Sequence, residues 1–260
     1  MIKIFKYSFY DLLKSRWSVI SLLFYLAATF GLLYLNMDLS KSIISLMNIV
    51  LFLAPLTAIM FGVIYFYNSR DFMELLLAQP LKRSSVLWGL YLGLATSLSL
   101  SFLIGMGVPF LSYGILVSGE IWNFMLLIFI GVLLTFIFSA IAFLIALRNE
   151  NKTKGFGLSL LLWLFTALMY DGIFLLILIV FQDYPLEKLS LALTLLNPID
   201  LLRISMMLKL DVSALFGFSG AVFNKFLGQS TGILLSIGCA LLWVVAPLGF
   251  LFRSLAKKDF

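Results

Sequence analysis

Six long uncharged stretches take up almost the whole of this chain, and they fix its solvent as lipid. Between charged residues they run 18–37, 42–69, 84–119, 121–147, 155–170 (carried on to 182 past the single Asp171) and 226–252. A helix needs roughly 20 apolar residues to cross the hydrocarbon. In lipid every backbone polar group must be paired within its own segment or barrel, so only helices and closed barrels can span. The short alternating runs of barrel strands are absent. The stretches therefore predict an all-α integral membrane protein with six transmembrane helices.

Composition leaves no room for a soluble domain. The hydrophobic fraction is 63% and charged residues are 12%, against about 25% charged in an ordinary soluble domain. Histidine is absent, which removes the commonest metal ligand and general base. Cys239 is the single thiol; it forms no internal disulfide and reads as a small packing residue. The first sixteen residues are too rich in Phe, Tyr and Leu for a signal-peptide n-region, and no removable signal peptide is expected.

The net charge of +6 is a topology signal. Lys3, Lys6, Lys14, Arg16, Arg70, Lys82, Arg83, Arg148, Lys152, Lys154, Arg253, Lys257 and Lys258 fall on one side of the six spans, thirteen in all. Lys41, Lys188, Arg203, Lys209 and Lys225 make five on the other. Positive residues stay cytoplasmic, which predicts both termini inside. Contact with anionic lipid accounts for the rest of the charge, and no nucleic-acid partner is expected.

Between the spans three segments stand out. Residues 1–17 place Ile2, Phe5, Phe9, Leu12 and Leu13 at helical spacing among Lys3, Lys6, Lys14 and Arg16, the pattern of a helix lying in the cytoplasmic interface. Residues 68–83 read as a short separate helix, with Asn68 as its cap, Asp71 in its first turn and Pro80 as its stop. The third stretch is longer than one span needs. Gly105, Gly107, Pro109 and Gly114 gather in its outer half, where they can kink it or break it into a hairpin.

The sizeable loop, 182–225, faces the other side. Its Leu186, Leu189, Leu191, Leu193, Leu195 and Leu196 make it apolar, and Phe216, Phe218 and Phe223 follow further on. Asn197, Pro198 and Asp200 form a strong helix start: Asn caps, Pro suits the first position, Asp falls at the third. Outer interfacial helices docked on the bundle are expected here. Met206 and Met207 read as packing.

Catalytic motifs are missing. The chain holds no Gly-Lys dipeptide, hence no phosphate-cradling P-loop, and no G-x-S-x-G elbow. Asp171 is the acid well inside an apolar stretch, and a residue so placed is a candidate pathway or gating contact. Alone it makes a poor case for an intramembrane enzyme. Glu74 sits on a short mixed-charge helix that the bilayer itself does not require, and such a helix suits the transmission of force from a soluble partner.

The segment Glu74-Leu75-Leu76-Leu77-Ala78-Gln79-Pro80-Leu81-Lys82-Arg83, an amphipathic start and six spans with both ends inside together resemble the permease subunit of ABC-2-type transporters, over nearly the whole chain. The resemblance implies that 68–83 is the coupling helix, with Arg70, Asp71, Glu74, Leu75, Gln79, Pro80, Lys82 and Arg83 as the contact to a separate ATPase dimer. It implies a second copy of the chain, ATP and Mg bound in the partner ATPase with no cofactor here, and the bacterial inner membrane as location. The segment from Leu196 to Arg203 is similar to the permease of the nitrous oxide reductase maturation transporter. That likeness implies a periplasmic β-helical partner, a sulfur species as cargo, and Asn197, Pro198, Asp200 and Arg203 as partner contact or gate. An ABC-2 exporter of a drug, lipid or peptide, and a membrane anchor for a periplasmic protein, stand as alternatives.

Overall fold

The computed structural model describes residues 1–79, 81–181, 186–210 and 229–256, and every regular element among them is helical. In order these are α1 (Ile2–Leu13), α2 (Arg16–Asn36), α3 (Leu39–Asn68), α4 (Arg70–Leu77), α5 (Arg83–Ser112), a 3-10 turn (Ile115–Val117), α6 (Ile121–Arg148), α7 (Lys152–Leu164), a π-helical turn (Phe165–Met169), α8 (Tyr170–Val180), α9 (Leu186–Leu196), α10 (Pro198–Lys209) and α11 (Gln229–Ala256). Among the described residues six runs are long and apolar enough to cross a membrane: α2, α3, α5, α6, α7 with α8, and α11. Each occupies one of the six uncharged stretches. Pro80, the segment 211–225 with Phe216, Phe218 and Phe223, and Lys257 and Lys258 lie outside the described residues.

Local chemistry sets several of the boundaries. Ser15 caps α2 by accepting from the Ser18 amide at 3.3 Å, and Asp38 caps α3 through Ser40 at 3.0 Å. Met37 ends α2 in the left-handed region, with its N–H on the Leu33 carbonyl. Asn68 does not cap α4. It is the last residue of α3, and Ser69 forms the junction without a side-chain cap bond. The Asn68 side chain instead accepts from Lys152 Nζ at 3.0 Å.

Close approach of helices explains the glycines. Along α5 every fourth residue from 89 to 105 is small: Gly89, Gly93, Ser97, Ser101 and Gly105. A four-residue spacing puts them on one face. Small residues there let neighbouring backbones come close, the usual means of helix association in lipid. A Cβ on Gly89 would lie 2.7 Å from Ile4 Cγ2, on Gly93 2.5 Å from Ser8 Cβ, and on Gly105 2.8 Å from Tyr25 Cβ. The stripe thus seats α1 at one end and α2 along the rest, with Ser18 and Ser97 facing at 3.5 Å. The same logic joins α3 to α6, where a Cβ on Gly62 would come within 2.6 Å of Ala142 Cβ.

This stripe also sets the face that α1 presents. Ile4, Ser8 and Leu12 are buried, whereas Ile2 is 77% exposed. The inward face is therefore rotated from the one the apolar spacing picks out. The recess in α5 is deep enough for a serine, and hydrophobicity alone does not reveal it.

Pro55 and Pro109 are accommodated inside continuous helices. Pro55 removes one N–H from the ladder, and a carbonyl less than one turn earlier, that of Phe52, takes the indole N–H of Trp163 at 3.2 Å. Pro109 lies near the end of α5, which runs unbroken to Ser112. The irregularity falls instead in the fifth span, at the π-helical turn between α7 and α8.

The spans traverse in alternation, so α1, α4, the α6–α7 turn and the end of α11 share one end of the bundle. Tyr7 of α1 stacks on Phe72 of α4 at 5.1 Å, and Trp88 of α5 on Phe252 of α11 at 4.9 Å. Arg148 Nε donates to Ser254 Oγ at 3.4 Å. At the far end α9 and α10 meet at 114°. α10 packs mainly on α11 and α6, with Ile199, Leu201, Leu202 and Met206 at or below 1% exposure. It is inserted into the bundle more deeply than a helix resting on the surface, and its Asp200 and Arg203 find partners there.

Candidate functional site

The predicted residues gather at the two ends of the bundle. At the α4 end, Met73 is the anchor, 2% exposed in an apolar cluster with side chains of α1, α3, α5, α6 and α11. The α6–α7 turn braces the helix from the side. Tyr67 donates to the Asn149 carbonyl at 2.7 Å, and Arg70 Nη1 donates to the Glu150 carbonyl at 3.3 Å. Arg70 also lies 5.8 Å from the Tyr67 ring centre. Of the predicted contact residues, Arg70 thus holds α4 to the body.

The remaining predicted residues among those described face outward. Asp71, Glu74, Gln79, Lys82 and Arg83 are exposed, and Leu75 is 70% exposed. Glu74 lines an open groove with Leu77, Ala78, Leu81 and Arg83. Lys82 sits at the N-cap of α5 and Arg83 begins it. An exposed leucine beside an exposed acid, on a helix pinned by one buried methionine and a braced arginine, makes a rigid projecting ridge.

At the far end a polar cluster joins α8, α10 and the π-turn. Asn197 is 1% exposed and works in two directions. Its Oδ1 accepts from the Ile199 amide at 3.1 Å, capping α10. Its Nδ2 donates to the Thr166 carbonyl at 2.8 Å and to Asp200 Oδ2 at 2.8 Å. Thr166 lies within the π-turn, so this bond joins the cap of α10 to the irregular part of the fifth span. Pro198 occupies the first turn of α10, where a missing N–H costs nothing.

Arg203 completes the cluster. Its Nη1 lies 2.9 Å from Asp171 Oδ2 and 3.0 Å from Asp200 Oδ1. Burial pushes the Asp200 carboxyl up to about 7. Arg203 and the Asn197 amide pull it down, and neighbouring Asp171 adds to the rise. Two carboxyl groups share one guanidinium beside a cavity of about 120 Å³ whose wall includes Phe174, Thr194 and Met207. Tyr170 and Trp243 close the surround by donating to α9 carbonyls, Leu193 at 2.5 Å and Leu195 at 3.0 Å.

Asp171, Asn197, Pro198, Asp200 and Arg203 are therefore one constellation. Thr166, Tyr170 and Trp243 belong to it and carry no sequence signal of their own, since each is an ordinary residue of an apolar span. Among the described residues no three His, Cys, Asp or Glu side chains assemble a metal site.

Residues 27–260 match the model of the family described as ABC-2 family transporter protein. The chain belongs to that family. Two curated relatives carry the name probable ABC transporter permease protein NosY. The one from Stutzerimonas stutzeri is 30% identical over 256 residues, covering 90% of this chain and 87% of its own. The one from Pseudomonas aeruginosa is 33% identical over 224 residues, covering 80% and 81%. As an ABC-2 permease the chain carries the membrane passage, and ATP hydrolysis lies in a separate subunit.

Proposed function

We propose that this ABC-2 permease is driven through α4, which docks in a cleft of a cytoplasmic ATPase dimer. The observation that carries the reading is the outward ridge of Glu74 and Leu75 on a helix fixed by Met73 and Arg70. Close-packed contacts transmit displacement because interiors compress little. The ridge stands at the end that holds thirteen of the eighteen basic residues by sequence, and the positive-inside rule supports a cytoplasmic position for it. Two copies of the chain pair, two α4 helices engage the ATPases, and ATP binding rocks the spans.

The far-end cluster faces the periplasm in this reading, in a bacterial inner membrane. There α9 and α10 meet a β-helical partner or close the exit. The similarity to proteins named NosY over most of the chain supports delivery of a sulfur species for the copper site of nitrous oxide reductase. Co-purification of the chain with its ATPase tests the docking: Glu74→Lys should abolish the complex while leaving α4 folded, and an undiminished complex would contradict it.

A further inference from the structure

A second cavity, of about 200 Å³, lies at the α4 end where α1, α2, α3 and α5 converge. One water takes about 30 Å³ of liquid, so the space exceeds a single bridging solvent. Its chemistry is one-sided. Asp11, Ser15 and Ser18 supply oxygens, and neither lysine nor arginine lines it, although the Asn68 oxygen at its edge is taken by Lys152. Asp11 makes no ion pair among the described residues. The opposite wall is aromatic: Trp17, Phe61 and Tyr65 line it, with the Trp17 and Phe61 rings 5.4 Å apart. Deeper in, leucines of α5 continue the surface.

An unpaired carboxylate, serine hydroxyl acceptors and ring faces together favour a cation that can donate hydrogen bonds. An anionic head finds no donor charge inside. Trp17 is 51% exposed on the outer side of α2, so the cavity opens toward lipid at the level where the spans end. Lys14 and Arg16 are exposed just outside it, placed for a phosphate.

We propose that this cavity binds the primary-ammonium headgroup of a membrane phospholipid. The ammonium sits between Asp11 and the aromatic rings, the phosphate meets Lys14 and Arg16, and an acyl chain follows the groove beside α2. A quaternary ammonium lacks the N–H donors the acceptors require, so ethanolamine heads are preferred over choline heads. Asn68 and Ser69, both lining the cavity, form the junction to α4, so the occupied site stiffens the root of that helix. The proposal stands independently of whether α4 meets an ATPase.

Native mass spectrometry of the full chain, released from vesicles of equal phosphatidylethanolamine, phosphatidylcholine and phosphatidylglycerol, tests it. Phosphatidylethanolamine should be retained roughly tenfold over the others, the scale of one charge-assisted hydrogen bond. Asp11→Asn should erase the preference and Asp11→Glu should restore it. Phe61→Leu, which keeps an apolar side chain, should weaken it with the melting profile unchanged. Equal retention of the three lipids, or a preference indifferent to Asp11→Asn, would overturn the proposal. Displacement of the lipid by soluble phosphoethanolamine at equal concentration would also overturn it, by assigning the site to a free amine.

Discussion

Arg203 on α10 reaches Asp171 on α8 at 2.9 Å, across 32 residues of chain and directly beside the π-turn. With the Asn197 bond to the Thr166 carbonyl, it ties the loop between the fifth and sixth spans to the irregular point of the fifth. A helix that would otherwise rest on the bundle is thereby clamped into it. Motion of the fifth span at its π-turn must carry α10 along or break these bonds.

The Asp171–Arg203 pair is partly open, with side-chain exposures of 42% and 27%. Its coupling in a double-mutant cycle of Asp171→Asn and Arg203→Gln should therefore be small, about 0.5–1 kcal/mol. Arg203→Gln alone should cost more than Asp171→Asn alone, because it strips Asp200 of its cation as well. Equal costs for the two single changes in a thermal melt would contradict the shared geometry.

Asp200 makes the docking of α10 depend on pH. Its carboxyl holds a proton more tightly in the fold than its ordinary value of 3.8 allows, up to about 7. The protonated form is the one the fold favours. The stabilisation is fully present below pH 3.8 and is lost as pH rises through 7. Asp200→Asn should flatten the dependence and raise the melting midpoint at pH 8 by roughly 2–4 °C. A midpoint that climbs with pH between 5 and 8 in the unaltered protein would contradict this sign.

The small-residue stripe of α5 should be intolerant of bulk. Gly93→Leu and Gly105→Leu force α1 and α2 off their seats, a change on the scale of overpacking, about 1–3 kcal/mol or more. Gly107, two residues from Gly105 on another face, has nothing within 4 Å of a Cβ. Gly107→Ala should therefore be neutral or slightly stabilising by helix propensity. Yield and melting temperature of the three variants in detergent distinguish the faces.

Some of this was readable in the residues themselves. The spans are legible because lipid penalises every charge in them, and the Asn197-Pro198-Asp200 start is legible because capping is local. The four-residue spacing from Gly89 to Gly105 is visible too, although it names no partner until α1 and α2 are laid on it. The pairing of Asp171 with Arg203 is not legible, since it depends on how α10 folds back. The π-turn has no composition that announces it. The bracing of α4 by Arg70 is not legible either, since it depends on where the Glu150 carbonyl lies.

One measurement tests most directly whether α4 is a passive lever. The ATP turnover of the separate ATPase is compared in proteoliposomes holding the unaltered chain, the Glu74→Lys chain, or the chain alone. The predicted result is turnover that depends on the intact permease, falls at least roughly tenfold with Glu74→Lys, the cost of a lost interface hot spot, and is absent from the chain alone. Turnover by the isolated chain, or full turnover with Glu74→Lys, would contradict it.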